Sequence, residues 1–124
     1  MAICFGAFCQ NLYDGWNSRI GQYQNGRIYD RSNSYQGYIS GNRFYNRSGS
    51  YLGYEDGGRF YDRGGNYLGR GNDERFYDRS GNYLGSARGG YVYNRSGSLI
   101  GRYDSSVPTG VVALIYFFGY YPLQ

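Results

Sequence analysis

Short apolar runs alternate along this chain with short polar, glycine-rich breaks, and a break comes about every eight residues. Written in lines of sixteen, the sequence stacks without a gap, which marks it as an internal repeat. Tyr recurs at Tyr13, Tyr29, Tyr45, Tyr61, Tyr77 and Tyr93, each preceded by an apolar residue: Leu12, Ile28, Phe44, Phe60, Phe76 and Val92. Gly recurs at Gly21, Gly37, Gly53, Gly69, Gly85 and Gly101. The residue before each Gly is apolar (Ile20, Leu52, Leu68, Leu84, Ile100) except at Gln36. Arg31, Arg47, Arg63, Arg79 and Arg95 hold a further position that only Gly15 breaks. Six units therefore run from about Asn11 to Ser106.

Each unit carries two turn signals. The first, Asn46-Arg47-Ser48-Gly49 or Asp78-Arg79-Ser80-Gly81, has the residues of a type I turn closed by a G1 bulge, with Gly in the left-handed position. The second is looser: Ser40-Gly41-Asn42, Glu55-Asp56-Gly57-Gly58, Gly71-Asn72-Asp73, Arg88-Gly89-Gly90. The intervening runs of four or five residues, rich in Tyr, Phe, Leu and Ile, read as strands, and no helical period is sustained. A three-residue loop at Arg47-Ser48-Gly49 pairs Tyr45 with Tyr51, Phe44 with Leu52 and Arg43 with Gly53. Across the second turn, Gly53 is set opposite Arg59 and Leu52 against Phe60. Alternation then puts an aliphatic and Phe row on one face and paired tyrosines on the other.

The predicted architecture is all-β: six tandem hairpins in an antiparallel meander, closed into a flower or barrel-like array that shelters its edges. Residues 1–10 form an apolar N-terminal segment, 11–106 the repeat domain and 107–124 an apolar C-terminal plug or assembly strand. A ring of about twelve strands is too wide for its own side chains to fill. The run Val111 to Phe118, apolar on every face, is the predicted filler, with Ile3, Phe5 and Phe8 as contributors. If the tail does not plug its own ring, it is free to join a neighbouring subunit and build an oligomer or filament.

Composition narrows the chemistry. The chain has 124 residues, 22 Gly, 18 Tyr, 13 Arg and no His or Lys, with a net charge of +4. Without imidazole, His-dependent triads and His-ligated metal sites are excluded, and two Cys make no zinc site alone. No enzyme, cofactor or metal is predicted. Cys4 and Cys9 form a disulfide or stay as two thiols; the spacing leaves this open. The opening residues lack a basic n-region, so no signal peptide is predicted, and the compartment stays open, with the cell surface or exterior one option. Val111 to Tyr121 is too short for a membrane-spanning helix. The arginines are spread and diluted by Asp30, Asp62 and Asp78, so nucleic acid is not the expected partner. Asp78-Arg79-Ser80-Gly81-Asn82 lacks the carboxylates of a calcium loop and reads as a plain turn. Glu55 with Asp56, and Asp73 with Glu74, read as solvated turn residues.

The candidate binding residues are the tyrosine pairs Tyr45 with Tyr51, Tyr61 with Tyr67 and Tyr77 with Tyr83, together with Arg43, Arg59 and Arg75. Such a ladder suits the stacking of sugars or other ring-bearing ligands, with guanidinium donors beside the rings. The same rings also serve as cross-strand packing with arginines laid over them.

The units Gly58-Arg59-Phe60-Tyr61-Asp62-Arg63 and Asp78-Arg79-Ser80-Gly81-Asn82-Tyr83-Leu84-Gly85 resemble those of the bacterial β-flower repeat proteins, described as four-fold and five-fold. The resemblance, over about Asn11 to Tyr121, implies short hairpins about a pseudo-symmetry axis and a bacterial origin, and it implies no function. Six units stand here in place of four or five.

Overall fold

A computed structural model describes residues 10–121 and 123 of the protein. Ile3, Phe5, Phe8, Cys4 and Cys9 lie outside the described residues. Six hairpins follow one another: β1 (Asn11–Asp14) with β2 (Arg19–Gln24), β3 (Arg27–Asp30) with β4 (Tyr35–Ser40), and β5 (Arg43–Asn46) with β6 (Tyr51–Asp56). Then come β7 (Arg59–Asp62) with β8 (Tyr67–Asn72), β9 (Arg75–Asp78) with β10 (Tyr83–Arg88), and β11 (Tyr91–Asn94) with β12 (Leu99–Tyr103). Each strand pairs antiparallel with its sequence neighbours, and β1 pairs with β12, so the sheet is a closed barrel.

The turn within each hairpin is built by one Asp or Asn. The Oδ1 of Asn46 accepts the backbone N–H of Ser48 at 2.9 Å and of Ser50 at 3.0 Å. Asp14, Asp30, Asp62, Asp78 and Asn94 accept the same pair of bonds in their own units. Gly49 takes φ +82°, as the G1 bulge requires. At Asp62 and Asp78 these bonds, led by those from Asn66 and Asn82, hold the carboxyl below its usual range.

Register departs from expectation in two places. Tyr45 does face Tyr51, but a bulge between Phe44 and Tyr45 then sets Phe44 opposite Gly53 and Arg43 opposite Tyr54. Leu52 is the extra residue, so the Phe44–Leu52 and Arg43–Gly53 pairs do not form. The bulge lets Phe44 stay inside, with its ring over Gly53, without turning the tyrosines inward. The connections between hairpins are tight two-residue turns, with Asp56 opposite Arg59, Glu55 opposite Phe60 and Gly53 opposite Asp62. Neither Gly53–Arg59 nor Leu52–Phe60 is a pair. Gly57 and Gly58 both have positive φ, the requirement of a primed turn whose twist matches the strands.

Leu12, Ile28, Phe44, Phe60, Phe76 and Val92 form a buried inner ring, as the repeat predicts. The apolar tail packs inside it, but as a helix: α1 (Thr109–Tyr116), followed by an irregular stretch to Tyr121 and Leu123. Every strand edge is already paired, so a segment inside the barrel must satisfy its own backbone groups. Pro108, with φ −62° and ψ 143°, starts the helix. Val111, Val112, Ala113 and Leu114 are buried. A helix surrounded by core has no polar face and so leaves no amphipathic period in the sequence.

Past the helix, the tail winds back round the ring of repeat glycines. A β-carbon at Gly101 would strike the Tyr116 ring. One at Gly85 would lie 2.7 Å from Phe117, and one at Gly69 2.9 Å from Phe118. One at Gly37 would lie 2.6 Å from Tyr121, and one at Gly21 2.9 Å from Leu123. At Gly53 the slot is filled by Phe44, whose ring meets Tyr120 edge-on at 5.4 Å. The Tyr116 hydroxyl donates to the Tyr13 carbonyl at 2.6 Å, and that of Tyr121 to the Tyr45 carbonyl at 2.8 Å. Burial pushes both phenols well above their usual range. The sixteen-residue glycine is thus a seat for the plug.

Candidate functional site

The outer face carries a belt of rings. Each repeat tyrosine has two lateral neighbours, one across its own hairpin and one across the connection to the preceding hairpin. Tyr45 lies 5.8 Å from Tyr51, centroid to centroid, tilted by 55°. On its other side it stacks on Tyr38 at 4.5 Å and 12°. Tyr61 repeats this with Tyr67 at 5.8 Å and Tyr54 at 4.8 Å. Tyr77 lies 5.7 Å from Tyr83, and its other neighbour is Arg70, whose guanidinium carbon sits 4.6 Å from the ring centroid. Tyr29 and Tyr35 are 6.0 Å apart, and Arg102 lies over Tyr13 at 3.9 Å across the β1–β12 seam.

The candidate pairs Tyr45 with Tyr51, Tyr61 with Tyr67, and Tyr77 with Tyr83 are therefore brought together, mostly half-buried, on one continuous surface. Tyr38, Tyr54, Arg70 and Arg102 join them. These four follow the repeat glycine by one residue, at a position that varies between units, so the sixteen-residue pattern gave no signal there. The signal that finds them is the bulge, which slides the position after the glycine into line with the next tyrosine. Arg43, Arg59 and Arg75 are exposed on the same outer face, beside the two-residue turns. Among the described residues, the guanidinium–ring contacts belong to Arg70 and Arg102, and none to Arg43, Arg59 or Arg75. Arg43 is placed opposite Tyr54 and Arg59 opposite Arg70, where they flank the rings.

A family model described as "5-fold beta-flower protein" matches residues 9–120. The chain belongs to that family. No curated relative and no solved structure matches it. This β-flower closes on six hairpins, one more than the description counts, and each hairpin supplies one inner ring residue and one outer tyrosine. Family membership marks it as a structural repeat protein. Among the described residues no group of three or more His, Cys, Asp and Glu is placed to hold a metal ion. No helix among them is long and apolar enough to cross a membrane.

Proposed function

We propose that this β-flower is a non-catalytic interaction scaffold whose outer tyrosine belt binds glycans or other ring-bearing ligands. The supporting observation is the pair of three-ring clusters, Tyr38–Tyr45–Tyr51 and Tyr54–Tyr61–Tyr67, on the solvent side of a closed barrel. Tyrosine joins a flat apolar face to a hydroxyl, and a sugar ring offers C–H groups and hydroxyls to match both. Arg43 and Arg59 stand beside the clusters as hydrogen-bond donors. The barrel holds these side chains on paired strands, so little ordering is left to be done on binding.

Self-association of the kind expected from a free tail or a free sheet edge has less support, because the tail is seated in its own ring and β1 is paired with β12. The tyrosine belt, or exposed side chains such as Trp16 and Leu99, would then carry a dimer or filament. Glycan-array binding that is lost in a Tyr45→Ala/Tyr61→Ala variant, whose far-ultraviolet circular dichroism is unchanged, is the expected result. An unchanged binding profile in that variant, or no glycan retained by the parent protein, rejects the belt as a ligand site. Light scattering on the same two samples tells whether the belt serves assembly.

A further inference from the structure

At the mouth of the barrel, by the two-residue turns, the inward-facing layer above the core ring is formed by Tyr23, Ile39, Glu55, Gly71, Ala87 and Tyr103, each paired with a core residue of the next strand. Glu55 is the only charged side chain in this layer. The sequence reading places it among solvated turn residues; the register turns it inward, half-buried, opposite Phe60. The helix contacts β10, the strand of Ala87, and open space is left between its first turn and the strands from β2 to β9. Two cavities of about 180 and 240 Å³ fill that space, and both are lined by Glu55, Phe60 and Gly110.

The walls of the pair are aromatic and anionic. Phe44 and Phe60 line the larger cavity, with Val111 and Leu114 of the helix as floor, and Phe60 and Phe76 line the smaller, beside Thr109 and Gly110. Asp73 and Glu74 stand at the rim, where the sister turns carry Gly57-Gly58 and Gly89-Gly90. Both hold left-handed backbone angles, φ +51° and +68°, that cost little for glycine and more for them. No arginine lines either cavity. One Glu55 oxygen accepts the Gly58 N–H at 2.7 Å, and the other has no protein donor among the described residues. The positive end of the helix dipole also faces this space, worth about half a charge against three carboxylates.

We propose that this mouth cavity binds a small organic cation, an alkyl- or arylammonium ion, with Glu55 as its counter-charge and the phenylalanine rings around its apolar part. Cavities below the ~300–1,000 Å³ of drug-sized sites take a small ligand. Carboxylate and ring faces together select a cation over its neutral isostere.

The test is calorimetric titration of the full chain with phenethylammonium chloride and, separately, with uncharged 2-phenylethanol. Saturable binding of the ammonium ion that exceeds the alcohol by about tenfold, weakens about tenfold in Glu55→Gln and falls with added salt is expected. Asp73→Asn/Glu74→Gly restores the turn residues of Asn25-Gly26 and so tests the rim in a variant that keeps its fold; binding there drops a few-fold. Equal affinity for the alcohol, or unchanged ammonium binding in a folded Glu55→Gln protein, overturns the assignment. So does absence of heat from the ammonium ion at millimolar concentration.

Discussion

Replacing Gly69 by Ala tests the seat of the plug. The new β-carbon would overlap the Tyr77 carbonyl oxygen and come within 2.9 Å of the Phe118 ring. The carbonyl belongs to a laddered strand and cannot move alone. Overpacking of this kind costs about 1–3 kcal/mol, and a side chain at φ +155° costs of the order of 1–3 kcal/mol more. The sum, about 2–6 kcal/mol, is a large share of the ~5–15 kcal/mol that holds a domain together. At roughly 4 °C per kcal/mol for a chain of this size, Tm falls by about 8–24 °C. The comparison is Gly110→Ala, where nothing lies within 4 Å of the added carbon; there Tm holds or rises slightly. Thermal melts by circular dichroism read both. A Gly69→Ala loss of less than about 1 kcal/mol, or one no larger than that of Gly110→Ala, would refute the reasoning. Because one of the two clashes is with Phe118, the same substitution is milder in a Phe118→Ala background, by a coupling of about 0.5–2 kcal/mol.

Tyr121→Phe leaves the Tyr45 carbonyl without its 2.8 Å donor and lowers stability by about 1–2 kcal/mol in urea unfolding, with the m-value unchanged. The depressed Asp62 and Asp78 carboxyls contribute stability that is complete above the unfolded carboxylate range and is lost as pH falls through their lower folded values. Asp62→Asn/Asp78→Asn keeps the turn bonds, as Asn46 and Asn94 do, and its melting temperature declines less steeply with acid. Asp73→Asn/Glu74→Gly relieves two left-handed residues and raises stability by about 1 kcal/mol, read as a Tm gain of a few degrees.

What the sequence displayed well was whatever repeats and acts locally. The Asp or Asn that opens each hairpin turn, the glycine that closes four of the six and the Phe44/Tyr45 alternation each follow from residues a few positions apart. The Tyr45–Tyr51 and Tyr61–Tyr67 contacts were legible for the same reason. The bulge at Leu52 was not, because pairing Phe44 with Gly53 looks like a mixing of faces until an extra residue is allowed. The two-residue turns were blurred by surplus Gly and Asp around Gly57-Gly58. The helix was hidden because Val111 to Leu114 are all buried and leave it no polar face. The match between tail and ring is non-local: Tyr116, Phe117, Phe118, Tyr121 and Leu123 run forward while Gly101, Gly85, Gly69, Gly37 and Gly21 run backward, and Phe44 holds the slot at Gly53. The signal was present as five large tail residues for five glycines, but only closure of the barrel gives the count a meaning.

The most direct measurement is a nuclear Overhauser spectrum of the intact protein, with Phe117 and Phe118 ring protons assigned. A plug threaded along its own glycines places Phe117 against the Gly85 α-protons and Phe118 against those of Gly69, each a strong cross-peak from within a single chain. Absence of these peaks, or their appearance only between differently labelled chains in a mixed sample, would contradict the threaded barrel.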